Sequence, residues 1–141
     1  MIEIAIISIY IWIGFVCAIS FMEAWLKFRA PGVNLQIGLG IGQLVFKALN
    51  RVEWTLAFIL MVVLLFNFEH VPFYFWGIVI VPIFLLFFQT SFLLPYLKRL
   101  AQDKIQGKTT KKSSIHIYYV IFELIKVVTL ASIGYVLFKF I

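Results

Sequence analysis

The C-terminal stretch IHIYYVIFELIKVVTLASIGYVLFKFI, residues Ile115–Ile141, decides how the rest of the chain is read. About 20 predominantly apolar residues suffice to cross a bilayer, and this run exceeds that. Yet it carries Glu123 and Lys126 well inside its apolar sequence. A charged side chain in hydrocarbon costs at least ~2.5–3.5 kcal/mol, so such groups usually face a bundle interior and have a partner. At about 100° per residue, His116, Tyr119, Glu123 and Lys126 share one narrow helix face. Gly134 continues that face toward the far end.

Composition agrees with a lipid solvent. Of 141 residues, 64% are hydrophobic and only 13% charged, against roughly 25% charged in soluble domains. A water-soluble fold cannot hide that much apolar surface. The length suits one domain, residues 1–141.

Working back from the last run, three more spans are predicted, at about 4–28, 52–68 and 72–97, with the fourth at 115–140. In the first, Ser20, Glu23 and Lys27 lie within one arc, and Glu23 four residues before Lys27 is the favoured order for an ion pair. Tyr10 and Trp12 fall nearer its outer half, and Cys17 reads as a small core residue. Arg29-Ala30-Pro31-Gly32 ends the helix, since proline cannot continue it and glycine supplies the reversal. Residues Val33 to Gly42, with Gly38, Gly40 and Gly42, read as a close-packed or flexible interfacial turn; no strand precedes them, as a phosphate-binding fingerprint would need.

From Gln43 a short amphipathic helix leads into the second span. A helix from Ile41 to Phe66 would measure about 39 Å, longer than a ~30 Å hydrocarbon core, so its first turns project into headgroups. Glu53 and Trp54 then sit near the inner interface. The third span contains Pro82, Gln89 and Tyr96 at intervals of seven, which face the same way on a regular helix, and Pro82 should kink it. Its helix runs a turn or two into the basic connector 98–114.

The connectors after spans one and three carry Lys27, Arg29, Lys47, Arg51, Lys98, Arg99, Lys104, Lys108, Lys111 and Lys112, while the opposite side has only Lys139. The positive-inside rule places these connectors, 29–51 and 98–114, in the cytoplasm and both termini outside, as in a bacterial inner membrane protein. The formal charge of +6 therefore points to an anionic leaflet, with Arg29, Lys47, Arg51, Lys98 and Arg99 at headgroup level, and not to nucleic acid.

The candidate constellation is Glu23, Lys27, Glu53, Gln89, Tyr119, Glu123 and Lys126, with Tyr96 and His116 as possible additions. Four helices packed as a bundle could gather several of these in one polar cavity. Acids and lysines withdrawn from water could exchange protons near neutral pH; equally, they could be ion pairs that fix helix register. No metal or other cofactor is expected. His70 and His116 lie at opposite faces, roughly 30 Å apart across a bilayer. No nucleophile motif marks a catalytic residue.

The stretches Trp12-Ile13-Gly14, Arg29-Ala30-Pro31-Gly32 and Gly42-Gln43-Leu44-Val45-Phe46 leading into Glu53 resemble small four-span membrane proteins of an uncharacterised family. That family includes bacterial members and a eukaryotic relative discussed in connection with drug resistance. The resemblance covers roughly Tyr10 to Leu65 and implies a four-helix membrane domain, with no catalytic residues to carry over.

The sequence thus predicts an all-α, four-span bundle that moves a small ion or solute past a Glu/Lys cluster. Four short spans enclose little, so this reading expects a homo-oligomer with polar faces at its centre. The alternatives are an accessory subunit of a larger membrane complex and a lipid-modifying enzyme with a headgroup held by Glu23, Glu53 and Arg51.

Overall fold

The computed structural model describes residues 1–107 and 115–141, side chains of 115 and 116 excepted. All its regular structure is helical, and four helices are long and apolar enough to cross a membrane. The first three are Ile2–Arg29, Leu35–Phe66 and Phe73–Ile105. The fourth, Ile115–Leu137, is followed by a single 3₁₀ turn, Phe138–Phe140. The second packs on the first, the first on the fourth and the fourth on the third, with the third closing more lightly against the second. Consecutive helices are therefore neighbours, as short connections favour.

Each helix contributes one apolar stripe at intervals of three, four or seven. Ala5, Ile9, Trp12 and Val16 form it in the first helix, and Leu49, Leu56, Leu60 and Leu64 in the second. Phe75, Val79 and Leu86 continue it from the third, and Leu130, Ile133 and Leu137 from the fourth. The outward faces are equally apolar: Phe58, Phe66, Phe73 and Tyr74 are all exposed. Such apolar outward faces accord with four helices that could span a membrane.

One helix boundary differs from the sequence reading. The first helix does end at Arg29, and Gly32 makes the reversal with φ +80. The second, however, begins at Leu35 and absorbs the glycine-rich stretch that reads as a turn. Its start is fixed by Asn34, whose side-chain oxygen accepts from the Ile37 N–H at 2.9 Å, a standard N-cap. Gly38 and Gly42, four apart, lie on one face against the end of the first helix. A Cβ at Gly38 would overlap the Phe28 ring, and one at Gly42 would lie 2.7 Å from Lys27 Nζ. The glycines thus permit close helix approach and form no loop.

The second and third helices, 32 and 33 residues long, reach about 48 and 50 Å at 1.5 Å per residue, well beyond a ~30 Å hydrocarbon core. Their overhanging ends run alongside each other. Gln36 Nε2 donates to the Ile105 carbonyl at 3.2 Å and Gln43 Nε2 to the Lys98 carbonyl at 3.3 Å.

Two helices contain a π turn, at Cys17–Glu23 in the first and Gln89–Leu93 in the third. Each adds a residue to the turn and so rotates the face presented by the next turns of helix. This explains why Pro82 and Gln89 are buried but Tyr96, seven residues on, is 46% exposed. Cys17, expected in the core, starts the first π turn and is also exposed.

Candidate functional site

The apolar stripes are interrupted at one level by polar side chains from all four helices. Glu53 stands between Leu49 and Leu56 in the second helix, and Gln89 between Leu86 and Leu93 in the third. The fourth helix supplies Glu123 and Lys126, neither with any exposed surface, and the first supplies Trp12 and Ser20. The i, i+3 spacing of Glu123 and Lys126 puts both on the inward face.

Lys126 Nζ is the hub. It donates to Glu53 Oε1 at 2.6 Å and to Glu123 Oε1 at 2.7 Å. The Trp12 indole N–H also donates to Glu53 Oε1, at 2.8 Å. Gln89 Nε2 donates to Glu123 Oε1 at 2.6 Å, and the Ser20 hydroxyl to Glu123 Oε2 at 2.9 Å. Two carboxylates thus share one ammonium inside a shell of neutral donors. Ionised throughout, the layer carries one excess negative charge, which a low-dielectric interior tolerates poorly. Gln89 Oε1, also buried, has no hydrogen-bond partner.

Both π turns lie at this layer. Ser20 is within the first and Gln89 opens the second, and these residues bind Glu123 from two sides. Turns of this kind recur at functional sites because they re-aim side chains.

Four predicted residues therefore meet directly: Glu53, Gln89, Glu123 and Lys126. Tyr119, buried one turn before Glu123, lies beside Ser20 and packs edge-on against Phe46, with ring centroids 5.4 Å apart. The other predicted pair stands apart. Lys27 Nζ lies 3.4 Å from Glu23 Oε2 and close to two rings, 5.5 Å from the centroid of Phe28 and 5.6 Å from that of Phe46. The side chain of His116 lies outside the described residues, as do Lys108, Lys111 and Lys112.

Trp12 and Ser20 are the members of this layer that sequence reasoning missed. Trp12 is placed by sequence among the outer aromatic residues, but it is fully buried and bonded to Glu53. Ser20 reads as a companion of Glu23, but it turns to Glu123. Their polarity inside an apolar run was a visible signal; their direction was not. Trp54, read from sequence as lying near the inner interface, bonds across to the third helix. Its indole N–H and Asn50 Nδ2 both donate to Thr90 Oγ1, at 3.0 and 2.8 Å.

A second feature lies at the basic end of the bundle. A cavity of about 780 Å³ opens between the end of the first helix and the overhanging parts of the second and third. Lys27, Lys47, Lys98 and Lys104 line it, with walls that include Phe28, Leu44 and Leu97. Tyr119 also reaches it, so this one side chain borders both the cavity and the ionic layer.

Of the five expected headgroup residues, Lys47 and Lys98 line this cavity, whereas Arg29, Arg51 and Arg99 do not. Arg29 stacks over the Trp25 ring at 4.5 Å. Glu23, Glu53 and Arg51 do not form a common headgroup site, because Glu53 is sealed among the four helices and Arg51 is exposed. Among the described residues, no three His, Cys, Asp or Glu gather as metal ligands. Comparison with protein-family models, curated proteins and solved structures finds no match to this chain.

Proposed function

We propose that the protein is an integral membrane protein that moves a small ion or solute in a proton-linked cycle centred on Glu53, Glu123 and Lys126. The observation that carries this reading is the two-to-one ratio of carboxylates to ammonium in a layer with almost no exposed surface. Such a layer balances when it takes up one further positive charge, and the simplest is a proton. Intramembrane ionisable groups are costly enough that a functional role is their default reading. The orphaned oxygen of Gln89 adds an acceptor for a donor that arrives with that charge.

The positive-inside rule orients the basic end, with its cavity, toward the cytoplasm and both termini outward. The cavity then lies on the cytoplasmic side of the layer, and Tyr119 borders both. The layer is closed in this conformation, so transport requires rearrangement, and the two π turns are the places where one added residue can be redistributed. Lys126 answers both carboxylates within a single chain, so this mechanism does not need a homo-oligomer to cover polar faces.

The test is proton flux into proteoliposomes under an imposed pH gradient, with membrane potential clamped and a pH-sensitive dye enclosed. Flux by the native protein should fall to the protein-free leak in Glu123→Gln. Unchanged flux would remove Glu123 from the mechanism.

A second reading, an accessory subunit, draws on the outward aromatic face of the third helix, where Phe73, Phe84, Phe87 and Phe92 are all exposed. Recovery of a stoichiometric protein partner after gentle solubilisation would favour it.

A further inference from the structure

We propose that the basic cavity holds one anionic phospholipid taken from the leaflet at that end of the bundle, with its phosphate among the lysines and acyl chain along the apolar wall. This goes beyond the transport reading and does not depend on it. At about 780 Å³, the cavity is in the usual range for ligand sites, ~300–1,000 Å³. Its lining joins two chemistries that only an amphiphile uses together. A soluble phosphate has no use for a wall of Phe28, Leu44, Leu94 and Leu97; a neutral lipid has none for four ammonium groups.

The lysines are disposed to receive an anion. Among the described residues, no acid lines the cavity and no ion pair engages Lys47, Lys98 or Lys104. Lys27 is held at the wall by Phe28, Phe46 and its long contact to Glu23. Three other polar side chains of the lining already make bonds within the protein. Asn50 and Thr90 bond each other, and Gln43 bonds the Lys98 carbonyl. The four ammonium groups therefore dominate the polar side of the lining, and their charge selects an anionic headgroup.

The site also lies where a lipid can reach it. It is built on the basic overhangs of two helices, where juxtamembrane lysines attract anionic lipid and reinforce one another. Gly42 keeps the wall open: a Cβ there would lie 2.7 Å from Lys27 Nζ and displace it.

The experiment is native mass spectrometry of the full chain released from neutral detergent after incubation with phosphatidylglycerol and phosphatidylcholine in equal amounts. One phosphatidylglycerol should be retained in preference, and raising the salt should weaken that preference. The Lys47→Gln/Lys98→Gln/Lys104→Gln variant should reduce it about tenfold or more. Arg51→Gln/Arg99→Gln, which alters charge outside the cavity, should leave it intact. Equal retention of the two lipids by the native protein would overturn the proposal, and needs no variant to fold. So would an equal loss in the arginine variant, which would mark diffuse surface attraction. Displacement of the lipid by millimolar inorganic phosphate would also overturn it, by identifying a soluble anion as the ligand. None of these readouts involves flux, so this proposal and the transport reading can fail separately.

Discussion

Lys126 and Lys27 are the same residue type in two opposite situations. Lys126 sits at mid-bundle with no exposed surface and two carboxylate oxygens within 2.7 Å. Lys27 sits at the edge of an open cavity, with one carboxylate at 3.4 Å and two aromatic rings for company. In the first case the protein has set two carboxylates against one ammonium and still has a negative charge left over. In the second it has left a cation underused, facing space. Both side chains are largely withdrawn from solvent, but the charge balance is reversed. That reversal separates a site that wants a cation from one that wants an anion.

The sharpest way to break this contrast is to remove each lysine in turn. Lys126→Met leaves two buried carboxylates without their shared ammonium, and breaking a buried pair this way costs about 3–5 kcal/mol. Denaturant unfolding in micelles should show that loss. If it matches the loss in Lys27→Met, the two lysines occupy energetically equivalent environments and the contrast fails.

The next effect concerns the helix contact that frames the cavity. Gly38→Ala forces a methyl into the Phe28 ring and should cost about 1–3 kcal/mol. Gly40→Ala meets nothing within 4 Å and should be neutral or stabilise by about 0.5–1 kcal/mol, since glycine is a poor helix residue. Unfolding of the pair measures both. Equal effects would return this segment to the status of a loop. Lys27→Met should move stability least, by less than about 1 kcal/mol, because its ion pair is long and its Glu23 partner is partly open to solvent. Its effect should show instead in retained anionic lipid.

Much of this contrast was legible in the sequence, and the part that was not has a common cause. Glu123 and Lys126 are visible as charges too costly to leave in lipid, and Glu53 and Gln89 as polar residues at matching depth on other spans. Local chemistry is also legible: the Pro31-Gly32 reversal and the Glu23–Lys27 pair follow from residue type and spacing alone. What eluded sequence was direction. A π turn adds one residue with no local signature, so Tyr96 leaves the stripe that Pro82 and Gln89 follow. Ser20 and Cys17 lie in the other π turn, Ser20 bonded to Glu123 and Cys17 exposed. The glycines of residues 38–42 were misread for a different reason. Their role depends on Phe28 and Lys27 across a reversal, and a glycine-rich string looks alike whether it bends or packs.

Two acids sharing one base in a sealed layer should behave as a single charge unit, and a double-mutant cycle in unfolding free energy tests that most directly. Glu53→Gln alone leaves a balanced Glu123–Lys126 pair and should be mild, whereas Lys126→Met should be severe. Adding Glu53→Gln to Lys126→Met should recover part of the loss, with a coupling of about 0.5–3 kcal/mol. If the two single losses simply add, the three groups do not act together, and the shared-base layer is contradicted.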